Sequence, residues 1–266
     1  MKIGIFDSGL GGLIVTHGLV QALPEYDYVY LGDTARVPYG NRGEETIYKF
    51  TREAVERLFK EDCALVVIAC NTASAEALRK IQGEYLPKYF PERRVLGVLI
   101  PAAEAAVELT QSGRIGVLAT SGTVASRAYE REIGKLSPAA EVIQQAAPLL
   151  VPLIENDALQ YAPPILRDYL TPLLSADIDT LVLGCTHYPY LKSEIQSIVG
   201  ERRAIVSQAE IVPAKLADYF NRHPEIASQL SKNSTRRYLL TDIAPSTESV
   251  AAKLYGEPVP FERITL

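Results

Sequence analysis

Two cysteines stand in matching surroundings. The apolar run Leu65-Val66-Val67-Ile68-Ala69 ends in Cys70-Asn71-Thr72-Ala73-Ser74, and Leu181-Val182-Leu183-Gly184 ends in Cys185-Thr186-His187-Tyr188-Pro189. Each reads as a buried parallel strand that delivers a thiol to the carboxyl end of a sheet, where open α/β sheets bind ligands. A strand-end cysteine is by itself most often a small buried hydrophobe. These two differ in being followed by hydroxyl and amide residues at a helix start, where free N–H groups favour a thiolate or hold a carboxylate. Cys63, with no polar cluster after it and read as preceding its strand, keeps the bland reading.

A thiol that works at neutral pH needs a partner for its proton. His187 is two residues from Cys185, and Asp7 ends the first strand, which a doubly wound order places next to the Cys70 strand. A surface or helix-capping role for His187 and a helix cap for Asp7 are the alternatives. A Cys–His hydrolase would use one thiol and leave the other idle. Inversion of a carbon uses both: one group removes a proton from one face, the other returns a proton to the opposite face, and the reverse reaction exchanges their roles. The developing carbanion and a carboxylate would then need preorganised donors. Ser8, Asn71, Thr72, Thr120 and Thr186 supply them.

The elements that position these groups alternate strand and helix through the whole chain, which predicts a mostly parallel α/β protein. A strand over residues 2–6 meets the glycine-rich turn Asp7-Ser8-Gly9-Leu10-Gly11-Gly12 and a helix running to about Leu23. A strand over 28–32 precedes the loop Val37-Pro38-Tyr39-Gly40-Asn41; its end is expected beside the Cys70 strand, so the loop would wall the same crevice. Ile47, Phe50, Ala54 and Leu58 recur at helical spacing and mark a crossover helix. Further strands are expected at 94–99, 114–119, 141–145, 204–206 and 238–240, with helices at 101–109, 165–174 and 209–220 and a final helix before the Pro-containing tail.

The chain also repeats itself. Ile3-Gly4-Ile5-Phe6 matches Ile115-Gly116-Val117-Leu118 at an offset of 112, which sets Ser8 on Thr120, and the cysteine strands repeat at 115. The near-common offset predicts two related halves.

Composition narrows the function classes. With 266 residues, 47% hydrophobic and 22% charged, the chain is long enough for one large or two small globular domains. A net charge of −5 leaves no basic footprint for nucleic acid and no polybasic membrane anchor. The longest apolar stretch, residues 95–107, is broken by Pro101 and Glu104, and Asp7 interrupts the first apolar run, so neither a membrane span nor a secretory leader is expected. Three cysteines, an odd number without a framework, point to reduced thiols and a cytoplasmic protein. Three histidines and no CxxC or HExxH pattern give no metal-site spacing. A dinucleotide fingerprint fails at Ile14, where its third glycine would stand, although Asp33 could imitate its ribose-binding acid. A non-catalytic nucleotide- or anion-binding protein therefore stays as the contrasting alternative.

Taken together and in order, Asp7-Ser8-Gly9-x-Gly11-Gly12, Pro38-Tyr39-Gly40, Cys70-Asn71-Thr72-Ala73 and Gly184-Cys185-Thr186-His187-Tyr188-Pro189 closely resemble the glutamate racemases of the cofactor-independent aspartate/glutamate racemase family, over almost the whole chain. The resemblance implies two pseudo-symmetric α/β domains, expected as residues 1–97 with 208–266 and residues 98–207, and a site between them. It implies Cys70 and Cys185 as the proton-transfer pair and Asp7 and His187 as their assistants. Asp7, Ser8, Pro38, Tyr39, Gly40, Asn71, Thr72, Thr120, Thr186 and His187 would contact the substrate. It further implies no cofactor, a homodimer, and supply of D-glutamate for peptidoglycan in a bacterial cytoplasm; aspartate is the competing substrate, one methylene shorter. Two stretches depart from the family pattern: Val206-Ser207-Gln208-Ala209-Glu210 stands where Asp-Ser-Ala is expected, and Leu240-Thr241-Asp242 lacks a small residue between Thr and Asp. Both are expected to affect the contact between domains rather than the chemistry. Glu155 is a further carboxylate that the sequence alone does not place.

Overall fold

The computed structural model describes residues 1–266. Ten strands form two sheets in which every pairing is parallel. They are β1 (Lys2–Asp7), β2 (Tyr28–Gly32), β3 (Cys63–Ile68), β4 (Arg94–Gly97), β5 (Arg114–Ala119), β6 (Glu141–Ala146), β7 (Thr180–Gly184), β8 (Ala204–Val206), β9 (Arg236–Leu240) and β10 (Phe261–Arg263). The first sheet runs β10-β9-β2-β1-β3-β4 and the second β6-β5-β7-β8. Strands β1 to β4 give the earlier half the order 2-1-3-4, and β5 to β8 repeat that order in the later half as 6-5-7-8. The two related halves expected from the repeat are thus present as one four-strand order in both sheets, extended by β9 and β10 in the first.

Parallel strands covered on both faces must be apolar along their length. Every residue of β3 and β7 is buried accordingly, with Leu65, Val66, Leu181, Val182 and Leu183 at zero exposure. Each such side chain stabilises the fold by about 1.5–3 kcal/mol relative to exposure. Crossover helices supply the cover. The helix Glu44–Lys60 buries Ile47, Ala54, Val55 and Leu58, and sets Glu44 and Glu45 in its first turn and Arg57 and Lys60 in its last, which complements its dipole. The helix Gln208–Arg222 carries the chain from β8 back to the first sheet and packs against both Gly12–Ala22 and Leu99–Leu109.

Four local expectations need correction. β2 does not lie beside β3, because β1 sits between them. Cys63 opens β3 rather than preceding it. β4 ends at Gly97, and Leu99 already belongs to the next helix, whose start sequence reasoning put at Pro101. The tail contains β10, which pairs with β9 through Phe261–Arg263; only Phe261 of the three is partly covered, so no hydrophobic alternation marks it.

A buried carboxylate fastens the last part of the first sheet. Asp27, 2% exposed, accepts from the N–H groups of Asn233 (3.2 Å) and Thr235 (2.7 Å), from Asn233 Nδ2 (2.8 Å) and from Thr235 Oγ1 (2.8 Å). Burial opposes its charge, yet the donors from Ser231, Thr235 and Asn233 outweigh burial and hold its carboxyl well below the usual range. A depressed carboxyl stabilises the fold above its unfolded pKa, and that contribution is lost as pH falls through the folded value. We predict that Asp27→Ala lowers stability by about 2–4 kcal/mol at neutral pH. In urea melts the deficit should shrink below about pH 4; a deficit independent of pH there would contradict the role given to this carboxylate.

Candidate active site

Strand register explains how the two thiols come to equivalent places. In the first sheet Phe6 of β1 pairs with Ile68 of β3, and in the second Leu118 of β5 pairs with Leu183 of β7. Cys70 and Cys185 each lie two residues beyond those partners. Cys70 caps the helix Asn71–Glu76, its Sγ accepting from the Ala73 N–H at 3.4 Å. Thr120 caps the helix Ser121–Ala125 beyond β5, accepting from the Thr123 N–H at 3.3 Å.

Both thiols face one cavity of about 270 Å³ between the carboxyl ends of the two sheets. Ser8, Pro38, Tyr39, Gly40, Asn71, Thr72, Thr120, Thr186 and His187, all singled out by the sequence, also line it. The Pro38–Gly40 loop arrives from β2 although β1 separates β2 from the Cys70 strand. Its tyrosine lines the cavity but its hydroxyl is engaged outside it: Tyr39 OH donates to Asp33 Oδ2 at 2.6 Å. Asp33 also accepts from Arg36 Nε (2.6 Å) and from Thr241 Oγ1 (2.9 Å), so its oxygens are engaged in holding this loop and the start of the C-terminal segment. That leaves the ribose-binding role without its acid. No lysine or arginine lines the cavity.

Asp7 is the exception among the residues singled out. It is buried beneath the cavity at 1% exposure rather than lining it, and accepts from the Gly9 N–H (3.0 Å) and from Thr186 Oγ1 (3.3 Å). The side chain bonded to Cys70 Sγ is that of Ser8, whose hydroxyl donates at 3.2 Å. On the other side, Cys185 Sγ stands 4.0 Å from His187 Nδ1, and His187 Nε2 meets Glu155 Oε1 at 2.9 Å. Glu155, unplaced by the sequence, therefore completes a line from thiol to imidazole to carboxylate. The apolar run before it forms the helix Leu150–Glu155, whose end reaches the cavity.

The charges follow from this packing. Burial pushes the Cys70 thiol up to about 12, and the charge of Asp7 adds to the effect against the bonds from Ser8 and Ala73. Burial also raises Asp7, opposed by His187 and by donors from Gly9, Gly12 and Thr186. For His187 burial works toward the neutral ring, but the interactions with Cys185 and Glu155 prevail and raise it to about 10. The arrangement holds Cys70 as a thiol and His187 as an imidazolium near neutral pH.

The two halves meet without spare room. A methyl group on Gly11 would fall 2.3 Å from His187 Nδ1 and 2.4 Å from Thr186 Oγ1. Thr72 Oγ1 lies 2.9 Å from Thr120 Oγ1 and 3.2 Å from Thr123 Oγ1, which joins the hydroxyls of the two helix starts. In the first stretch that departs from the family pattern, Gln208 Nε2 donates to Asn71 Oδ1 at 3.0 Å; in the second, Thr241 Oγ1 donates to Asp33. Gln208 and Tyr129, both in contact with Asn71, escaped sequence reasoning. The only signal was the oddity of a glutamine at that place.

Two equivalent strand-end thiols, an imidazole relay and a small crevice between parallel sheets match a known family. Residues 3–212 match the Asp/Glu/hydantoin racemases, and the chain belongs to that family. Among its relatives, the glutamate racemase of Geobacter metallireducens is 41% identical over 257 residues, covering 96% of this chain and 92% of that protein. A glutamate racemase isoform from Bacillus anthracis superposes with a TM-score of 0.91 at 35% identity, covering 100% of this chain and 97% of the other. The Francisella tularensis glutamate racemase, solved in complex with D-glutamate, superposes at 0.88 with 30% identity, covering 99% and 97%. No helix of this chain is long and apolar enough to cross a membrane.

Two outcomes test this geometry. Gly11→Ala should cost about 1–3 kcal/mol of stability, because the methyl must push apart two packed halves; a melting temperature equal to wild type would contradict that contact. Glu155→Gln should lower the His187 titration, followed by NMR, by at least about one pH unit. The raised imidazole stabilises the fold fully below its unfolded pKa near 6.5 and loses that contribution as pH rises through about 10. The stability gap between wild type and Glu155→Gln should therefore close toward pH 10, and an unshifted titration would remove Glu155 from the relay.

Proposed function

We propose that this chain interconverts L- and D-glutamate by transferring protons at Cα between two cysteines, without a cofactor. The observation that carries the reading is the pair Cys70 and Cys185, set at equivalent strand ends and facing one cavity. A thiolate on one side takes the Cα proton, leaving its bonding pair on the substrate. The thiol on the other side gives its proton to the opposite face, so the configuration inverts and the two sulfurs have exchanged protonation states. His187, backed by Glu155, is assigned the task of taking and returning the Cys185 proton. Ser8, bonded to Sγ, and Asp7, acting through its nearby charge, are assigned to Cys70. The substrate carboxylates and the carbanion would be held by Ser8, Asn71, Thr72, Thr120 and Thr186, with the Pro38-Tyr39-Gly40 loop as one wall.

Glutamate rather than aspartate is favoured by the relatives at 41% and 35% identity, which are glutamate racemases. With it we propose the division into residues 1–97 plus 208–266 and residues 98–207, a cytoplasmic homodimer, and supply of D-glutamate for peptidoglycan. Light scattering that gives a monomer mass at working concentrations would remove the dimer.

Incubation with L-glutamate in D2O without added cofactor is expected to give loss of optical rotation and deuterium at Cα. L-aspartate should be turned over at least tenfold more slowly. Cys70→Ser and Cys185→Ser should each lower kcat by a factor of about 10³ or more, whereas Cys63→Ala keeps activity within about threefold. Unchanged rotation and no exchange with folded wild type would end the proposal. Full activity in either of the first two variants would end the two-thiol scheme.

A further inference from the structure

Asn71 lines the cavity at 2% exposure, and its Nδ2 is buried without a hydrogen-bond partner in the protein. Its other amide atom is doubly held: Oδ1 accepts from Tyr129 OH at 2.7 Å and from Gln208 Nε2 at 3.0 Å. Gln208 Nε2 also donates to Tyr129 OH at 3.0 Å, which leaves the tyrosine hydroxyl hydrogen for Asn71 and closes a three-membered ring of bonds. These side chains come from separate places. Asn71 follows β3, Tyr129 lies on the helix Ala128–Leu136 beside the second sheet, and Gln208 opens the helix that links β8 back to the first sheet. Tyr129 and Gln208 are both at zero exposure, and neither lines the cavity.

A primary amide presents a donor on one side and an acceptor on the other. With both amides reversed, the same ring could persist while Asn71 kept an acceptor unpaired. In the orientation found, the unpaired atom is a donor. That choice matters in a cavity lined by no lysine or arginine, where His187 is already paired with Glu155 and neutral donors must meet most of the charge of a dianionic substrate. We propose that Gln208 and Tyr129 are positioning residues that fix the Asn71 amide with its N–H groups toward a substrate carboxylate. The inference rests on the glutamate reading above and adds to it two residues outside the cavity that set the polarity of its floor.

The test is a set of variants in the full-length enzyme, Tyr129→Phe, Gln208→Met and both together, assayed with L- and D-glutamate. With both donors gone, Asn71 is free to turn, so KM should rise about tenfold or more in the double variant, while kcat stays within about threefold. Each single variant keeps one donor on Oδ1 and should raise KM by about two- to threefold, making the double effect more than the product of the singles. A merely structural role would lower the melting temperature without this split between KM and kcat. A folded double variant with KM within twofold of wild type overturns the proposal, as does a fall in kcat at unchanged KM. Should the double variant not fold, the nearly isosteric Tyr129→Phe decides: a KM increase of two- to threefold supports the proposal, and an unchanged KM overturns it. Absence of racemization in wild type would instead defeat the glutamate reading, so the two failures are separable.

Discussion

Burial of charge governs this structure. Asp7, Cys70, Cys185 and His187 are all 6% exposed or less and lie around one small volume. In such surroundings an ionised group survives only if neighbouring dipoles or opposite charges replace the water it has lost. Asp7 finds the Gly9 N–H and the Thr186 hydroxyl; His187 finds Glu155. Asp7 takes one of its partners, Thr186, from the opposite half, so the first half alone cannot satisfy this carboxylate, whereas His187 meets Glu155 within its own half. The close approach at Gly11 and the threonine hydroxyls shared by Thr72, Thr120 and Thr123 are the packing consequences of that demand.

The duplicated architecture gives the site its near-symmetry and also shows where symmetry stops. β1 and β5 occupy matching positions, yet β1 ends in Asp7 and β5 in Ala119. The carboxylate near Cys70 comes from the neighbouring strand, whereas the one on the Cys185 side comes from a helix beyond β6 and contacts the imidazole of His187. Two similar thiols thus sit in different surroundings: burial and a neighbouring negative charge raise Cys70, and an imidazole stands beside Cys185.

What could be read in the sequence divides along physical lines. β2 was delimited to the residue, and β3 and β7 were located, because both-face burial imposes a continuous apolar run. The strand-end cysteines and their hydroxyl followers were visible for the same reason: a run of Val, Leu and Ile stops where the chain meets the crevice. β10 was not visible, since an edge strand needs only a backbone ladder and little burial. Nor could spacing show that Ser8 rather than Asp7 would bond the Cys70 sulfur, or that Glu155 would meet His187; those are encounters between loops and helix ends distant in sequence. Gln208 stood out as unusual, but its contact with Asn71 spans 137 positions and depends on how the linking helix packs.

The sheet order carries a consequence for how the chain is made. β2 pairs with β9, and the Asp27 clamp holds Asn233 and Thr235, so the first sheet requires residues from both ends of the chain. The β6-β5-β7-β8 sheet draws on one continuous stretch. During vectorial synthesis the later-numbered sheet can be assembled while the earlier one still waits with β2 as an open edge. Such an unpaired apolar edge is a site for mispairing until the C-terminal strands emerge. In the newborn chain, order of appearance and order of completion are therefore reversed: the half that leaves the ribosome first is the last to be closed.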